Sequence, residues 1–85
     1  MYANVLKEKM SKEFLVEYFP EGALIYRLSD YSLLEVNETG AFILKLLENG
    51  LDDDSICLRI ADKYAITPKQ ANRDYQIFCQ TVDNW

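Results

Sequence analysis

The sequence predicts an α+β fold in which a three-stranded antiparallel meander comes first and three helices follow. Two observations lead to this prediction. Apolar residues recur with a period of about two through the first half of the chain, and with a period of about 3.6 after Asn37. The chain has 85 residues, 49% of them hydrophobic, which suits one small domain with one core.

Three short runs are rich in aromatic and β-branched residues, as strands are. These predicted strands are residues 14–19, 23–28 and 31–36. Pro20 and Gly22 form the first turn, because proline presets φ and glycine accepts a positive φ. Ser29 and Asp30 form the second turn. Such short connections between consecutive strands imply antiparallel pairing.

The charge in the second strand predicts which of its faces is buried. Arg27 is expected to face water. Because side chains alternate along a strand, this places Leu24, Tyr26 and Leu28 on the core face.

Each of the three predicted helices has a start signal. Asn37 is expected to cap the first helix by accepting from a free amide in the first turn, and Gly50 to end it in the left-handed conformation. The aspartates 52–54 place carboxylates at the start of the second helix. Thr67 and Gln70 form a capping box at the start of the third.

Helical spacing predicts the buried faces of the last two helices. The second helix has a stripe of Ile56, Ile60 and Tyr64. The third helix has a seam of Ala71, Tyr75, Phe78, Val82 and Trp85. A three-stranded meander cannot cover its own apolar face, so these helices must pack on it. The predicted architecture is winged helix-turn-helix-like (βββααα), with its wing at the N-terminus.

Two alternatives are open for residues 1–13, which precede the predicted domain of residues 14–85. One is a loosely ordered N-terminal arm. The other is a helix whose apolar face is Tyr2, Val5, Leu6 and Met10. This segment has no apolar stretch of signal-peptide length, and no stretch of the chain approaches the roughly 20 apolar residues of a membrane span. A cytoplasmic protein is therefore predicted.

Composition argues against most enzyme chemistry. Nine Lys and Arg against 14 Asp and Glu give a net charge of −5, and the chain has no histidine. This removes the Ser-His and Cys-His nucleophile pairs and the commonest zinc ligand. Cys57 and Cys79 form no metal-binding motif and are expected to be reduced, half-buried thiols. We expect a protein without catalytic residues, metal or organic cofactor.

A winged-helix DNA-binding regulator is one alternative function. Lys69 and Arg73 lie at polar positions of the third helix, where they suit phosphates. Asp74 and Asp83 lie on the same helix, and the net charge of −5 opposes binding to a polyanion. Retardation of random duplex DNA at low salt would favour this alternative.

The third strand ends the meander, so one row of its amides and carbonyls has no partner in the sheet. Leu33 and Leu34 lie in its middle beside Glu35. Either both leucines are covered by the core or the arm, or the strand docks an extended peptide, or it pairs with a second copy in a structural homodimer. Successive amides point to opposite neighbours, and the sequence leaves open whether Ser32 and Leu34 or Leu33 and Glu35 face outward.

The junction of strand and helix also carries a family resemblance. Residues 34–43, Leu-Glu-Val-Asn-Glu-Thr-Gly-Ala-Phe-Ile, lead towards Leu46, Leu47 and Gly50, and the second helix runs from Ser55-Ile56 to Tyr64. These features resemble the PqqD-like family over about residues 13–82. Its members are small precursor-peptide recognition elements in the biosynthesis of ribosomally synthesised, post-translationally modified peptides (RiPPs).

The resemblance implies a non-catalytic chaperone that holds a precursor's leader as an added antiparallel strand between the third strand and the third helix. The implied strand contacts are Tyr31, Ser32, Leu33, Leu34 and Glu35. The implied helix contacts are Lys69, Arg73 and Ile77, with Gln70 and Asp74 as the neighbouring alternative. It also implies a partner that modifies the peptide, such as a radical SAM enzyme, a leader peptidase or a cyclase. The chaperone is expected to be a monomer or weak homodimer with no nucleic-acid or membrane partner.

Overall fold

Four helices and three strands make up residues 2–85, the part of the chain that this computed structural model describes. In order, they are α1 (Tyr2–Lys12), β1 (Phe14–Phe19), β2 (Gly22–Arg27), β3 (Leu33–Asn37), α2 (Glu38–Glu48), α3 (Asp53–Tyr64) and α4 (Pro68–Asn84). The predicted α+β class and the order of the meander and three helices are confirmed, and α1 is an additional helix in front of them.

The three strands form one antiparallel sheet in the order β1-β2-β3. Pro20 and Glu21 connect β1 to β2, as expected for a tight turn. The predicted positive φ at Gly22 is wrong, because among residues 2–85 only Gly50 is a glycine with a positive φ, of 84°. A Cβ on Gly22 would instead lie 2.2 Å from the carbonyl oxygen of Val36. Gly22 therefore allows the backbones of β2 and β3 to approach closely.

The prediction for the buried face of β2 is wrong. Ala23 and Ile25 are fully buried, and Arg27 shares their face by alternation. The outward face therefore carries Leu24, Tyr26 and Leu28. Arg27 is tolerated on the inner face because its guanidinium stacks 4.5 Å from the ring centroid of Trp85 and pairs with Asp30 at 2.8 Å.

Strand β3 begins at Leu33, two residues later than predicted. Tyr31 has a φ of 61°, which is outside the extended region. The amide and the hydroxyl of Ser32 both donate to Asp30 Oδ1, at 3.1 and 2.7 Å. Arg27 and then Ser32 hold the pKa of Asp30 well below its usual range. The residues before Leu33 therefore belong to a turn that is organised by one carboxylate.

Residues 2–12 form α1 rather than a loosely ordered arm. Ala3 and Leu6 are fully buried in the core, and Met10 packs against it. The Ala3 amide also donates to Asp53 Oδ1 at 2.9 Å. Val5 lies on the exposed side of this helix, and the Tyr2 side chain is outside the described residues.

The predicted caps at the starts of α2, α3 and α4 are confirmed. Asn37, Asp52 and Thr67 each accept a hydrogen bond from the amide three residues later, at 2.9, 2.9 and 3.1 Å. The capping box at Thr67 is only half formed, because the Gln70 side chain donates forward to Asp74 Oδ1 at 2.9 Å. These caps determine where each helix leaves the preceding segment.

The predicted helix seams are largely confirmed. Ile56 and Ile60 are fully buried in α3, and Tyr64 packs at the edge of the core. The buried residues of α4 are Ala71, Tyr75, Cys79 and Val82, whereas Phe78 and Trp85 are half-buried. Cys79 was expected to be half-buried but is a core residue. Within residues 2–85, no helix is both long enough and apolar enough to cross a membrane.

Candidate functional site: an open strand edge beside a groove

The hydrogen-bond pattern of β3 determines which of its backbone groups face away from the sheet. The Arg27 amide donates to the Ser32 carbonyl at 2.9 Å, and this pair continues the register of β2 and β3 by one position beyond Tyr26 and Leu33. Hydrogen-bonded and non-hydrogen-bonded pairs alternate in an antiparallel ladder. Leu34 therefore bonds to β2, while Leu33 and Glu35 point their amides and carbonyls outward.

The outward side of β3 is the edge of the sheet. No strand among residues 2–85 pairs with it there. The side chain of Leu33 is 55% exposed, whereas Leu34 is half-buried and packs against the core. Of the alternatives that the sequence left open, complete covering of both leucines is therefore wrong, because Leu33 is uncovered.

A groove of about 450 Å³ lies beside this edge, between the end of β3, the start of α2 and α4. Its apolar lining comes from Val36, Ile43, Ile77 and Phe78. Ile77 is the most accessible of these, with 57% of its surface exposed. An exposed isoleucine in a concave apolar surface is suited to contact with an apolar side chain.

Gly40 determines the depth of the groove at the start of α2. A Cβ added there would lie 2.9 Å from Phe78 Cε1 and 3.0 Å from Val36 Cβ. The glycine therefore allows the Phe78 ring to lie against the beginning of the helix. Asn37, which caps α2, holds the Gly40 amide at 2.9 Å and so positions this wall of the groove.

Of the five residues that the sequence singled out around β3, only some present free backbone groups at the sheet edge. Leu33 and Glu35 present the free backbone groups, and Leu34 faces β2 and the core. Tyr31 precedes the strand and is 87% exposed. Ser32 also precedes it, and its amide and carbonyl are already bonded within the sheet and turn.

Of the α4 residues that the sequence singled out, some line the groove and others do not. Ile77 lines the groove, as does Asp74 from the neighbouring alternative. Lys69 and Arg73 are exposed on α4 but are not part of the lining. The side chain of Gln70 donates to Asp74 from the adjacent turn.

Sequence reasoning missed the other groove residues of α4. Phe78 was assigned to the core seam, and Thr81 was not considered. The lining positions on α4 are Asp74, Ile77, Phe78 and Thr81, whose spacings of three, one and three are those of a single helical face. An apolar Ile77 beside the seam was the signal that could have identified this face.

Both charged residues that line the groove are acidic. Glu35 and Asp74 are part of its lining, and no Lys or Arg of the described residues lines it. A second depression of about 720 Å³ shares the end of β3 and is lined by Glu21 and Glu35 among its charged residues. Within residues 2–85, no cluster of three metal-ligating side chains is present. The site offers backbone hydrogen bonds, an apolar floor and carboxylates.

Two solved structures are similar to this fold. One is TbiB1 in complex with the TbiA(beta) leader peptide, with a TM-score of 0.80 and 19% sequence identity over 86% of this chain and 85% of that one. The other is lasso peptide synthetase B1 complexed with the leader peptide, with a TM-score of 0.77 and 18% identity over 86% of each chain. At this identity the likeness concerns the fold.

Sequence comparison assigns the family. No curated protein sequence matches the chain. The family model for coenzyme PQQ synthesis protein D (PqqD) matches residues 22–83, which span all of the chain from β2 to near the end of α4. This chain belongs to the PqqD family.

Proposed function

We propose that this protein binds the leader of a precursor peptide as an additional strand on β3 and presents it to a modifying enzyme. The observation that carries the proposal is the outward row of backbone groups at Leu33 and Glu35 beside an apolar groove. Two proteins of similar fold, TbiB1 and lasso peptide synthetase B1, are in complex with leader peptides, which supports the same use of this fold here.

The geometry supports an extended peptide in particular. A strand beside β3 exchanges main-chain hydrogen bonds with Leu33 and Glu35, and these bonds are independent of the peptide's side chains. Side chains of the added strand alternate between the two faces of the sheet. Every second one therefore points towards α4, where Ile77 and Phe78 form the apolar floor. Main-chain bonds provide affinity, and the groove selects for apolar side chains.

Presentation to an enzyme follows from effective concentration rather than from chemistry on this chain. When the protein holds the leader and also contacts the enzyme, the rest of the precursor becomes a nearly intramolecular substrate. Radical SAM enzymes, leader peptidases and cyclases are the partner classes that we propose. In this function the chain acts without catalytic residues, as a monomer or weak homodimer.

A fluorescence anisotropy titration tests this function. The probe is a labelled synthetic leader encoded by a short reading frame next to the gene of this chain. We expect saturable binding that Ile77→Ala weakens by about tenfold, since burial of an isoleucine side chain stabilises by roughly 1.5–3 kcal/mol and truncation to alanine removes only part of it.

Leu58→Ala is the matched control, because Leu58 is 61% exposed on α3 and lies outside the groove. It should bind as the unaltered protein does. Absence of binding by the unaltered protein to every such leader, or equal effects of the two substitutions, would contradict the proposed function.

A further inference from the structure

We propose that the bound leader carries a lysine or arginine directly opposite Glu35 and an apolar residue two positions away, opposite Leu33. This inference rests on the proposed function and adds the chemistry of the peptide to it. It concerns the outward face of the extended sheet rather than the groove.

The position of Glu35 on the edge gives it a direct cross-strand neighbour. Its amide and carbonyl point away from β2, so the residue opposite it on an added antiparallel strand exchanges both main-chain bonds with it. Val36 and Leu34 face the helices, so the Glu35 side chain lies on the outward face. Side chains of directly opposite residues on one face have Cβ atoms about 4.5–5.5 Å apart, where opposite charges attract.

The sheet itself provides Glu35 with no cation. Glu17, Leu24 and Glu35 lie opposite one another across the three strands, so the neighbour of Glu35 on β2 is a leucine. Glu17 accepts from the Tyr26 hydroxyl at 3.1 Å, whereas Glu35 makes no salt bridge with any of residues 2–85. A fourth strand extends this row by one residue, and a cation is the favourable choice there.

The surroundings favour the same charge. Glu21 and Glu35 both line the depression at the end of β3, and none of the described Lys or Arg residues lines it. Carboxylates without intervening cations produce a negative potential that attracts a basic peptide and repels an acidic one.

The expected apolar residue follows from the neighbouring row of outward-facing side chains, which contains Leu33. Leu15, Tyr26 and Leu33 lie opposite one another across the sheet, and Leu15 and Leu33 are largely exposed. A residue of the added strand opposite Leu33 extends this apolar row on the same face. Residues of one face are two positions apart in a strand, and a strand antiparallel to β3 meets Glu35 before Leu33. The expected signature is therefore basic–any–apolar in the N-to-C direction.

Selection from a displayed library of random 12-residue peptides tests the inference without knowledge of the natural leader. Three proteins are used as targets: the unaltered chain, Glu35→Lys, and Glu17→Lys as the matched control on the same row and face but on the far strand. Peptides selected on the unaltered chain and on Glu17→Lys should show the basic–any–apolar signature. Peptides selected on Glu35→Lys should show Asp or Glu in place of the cation.

Titration of one selected peptide and its Lys→Glu analogue against the unaltered chain and Glu35→Lys completes the test. Opposite-charge cross-strand pairs contribute roughly 0.2–1 kcal/mol, so each mismatched combination should bind about 1.4- to fivefold more weakly than the matched one. A charge preference that is the same for Glu35→Lys and the unaltered chain would overturn the inference.

Glu35→Pro distinguishes this failure from failure of the proposed function, since proline removes the outward donor. If Glu35→Pro loses binding but the unaltered chain and Glu35→Lys show no difference in charge preference, the edge of β3 binds the peptide. In that case only the inference about the peptide's charge is overturned. Equal binding to Glu35→Pro and to the unaltered chain, or no enrichment on any target, overturns the function and the inference together.

Discussion

Single carboxylates join segments that are distant in the sequence. Asp53 Oδ1 accepts from the Ala3 amide at 2.9 Å and from the Tyr75 hydroxyl, and so joins α1, α3 and α4. Tyr75 is almost completely buried, where an unsatisfied hydroxyl would be costly. The three aspartates at 52–54 predicted a charged helix start. Asp52 is the cap, but the partners of Asp53 lie on α1 and α4. Contacts between such distant elements cannot be predicted from the local sequence pattern around residues 52–54.

Asn37→Ala should lower the free energy of unfolding by about 1 kcal/mol, because it removes the side-chain acceptor for the Gly40 amide at the start of α2. The measurement is urea unfolding followed by circular dichroism. Asn49→Ala is the matched control, since Asn49 caps the other end of α2 through its backbone amide. Equal midpoints for Asn37→Ala and the unaltered protein would mean that this cap does not stabilise the helix.

Gly22→Ala should destabilise the protein more than Gly40→Ala. The added methyl at Gly22 would meet the backbone oxygen of Val36 at 2.2 Å. At Gly40 its nearest neighbours would be the outer edge of the Phe78 ring at 2.9 Å and Val36 Cβ at 3.0 Å. A side chain can shift, but the neighbouring strand cannot without loss of ladder bonds. Overpacking at Gly40 costs roughly 1–3 kcal/mol and is offset by about 1 kcal/mol of helix propensity. Thermal melts that rank the two variants in the opposite order would contradict this account.

At the scale of elements, the number, type and order of the strands and of α2 to α4 were predictable, but the buried face of β2 was not. Alternation gives two equivalent faces, and the charge of Arg27 selected the wrong one. The indole of Trp85, 58 positions further along the chain, covers that guanidinium. The late start of β3 has a local cause instead, since the Asp30 carboxylate accepts from the Ser32 amide and holds Ser32 in a turn.

The two sides of β3 should respond differently to proline. Glu35→Pro removes an outward amide, so the fold should remain nearly as stable while leader binding weakens. Leu34→Pro removes an amide that bonds to β2, so it should lower the melting temperature, as proline does inside a sheet. Loss of one main-chain bond with its partner left unpaired costs roughly 1–3 kcal/mol, which is about 5- to 150-fold in affinity.

Circular-dichroism melting of both variants, beside anisotropy titration with the labelled leader, separates the two effects. Equal loss of stability in Glu35→Pro and Leu34→Pro would show that β3 is not an edge. Unchanged affinity in Glu35→Pro at intact stability would show that the peptide lies elsewhere.

At the scale of the molecule, the groove depends on how α4 is rotated against the sheet. Residues near 35 and near 77 meet only after the whole chain has folded, and the seam predicted the rotation of α4 to within about one residue. Cys79, rather than Phe78, occupies the buried position of α4 at this level of the core. With α4 rotated in this way, Phe78 and Ile77 point towards β3. The strand side of the site was therefore predictable, whereas Phe78 and Thr81 depended on packing.

Two buried groups, the Cys79 thiol and the Tyr75 phenol, make the folded state sensitive to alkali. Burial raises the pKa of Cys79 to about 12, and burial followed by the bond to Asp53 raises that of Tyr75 further. In the unfolded chain these groups ionise near their ordinary values of about 8.5 and 10. Because the folded pKa values are the higher ones, stability is complete below about pH 8 and is lost as the pH rises through and beyond 10.

Urea unfolding between pH 7 and 10.5 under reducing conditions measures this loss, and we expect the free energy of unfolding to fall steadily above pH 8.5. Tyr75→Phe and Cys79→Ala should each be less stable at pH 7 but should lose less stability over the alkaline range, since each removes one of the titrating groups. Leu58→Ala, which changes an exposed side chain, should keep the full slope. A free energy of unfolding that is constant from pH 8 to 10.5, or an unchanged slope in both core variants, would mean that these groups ionise equally in the folded and unfolded chains.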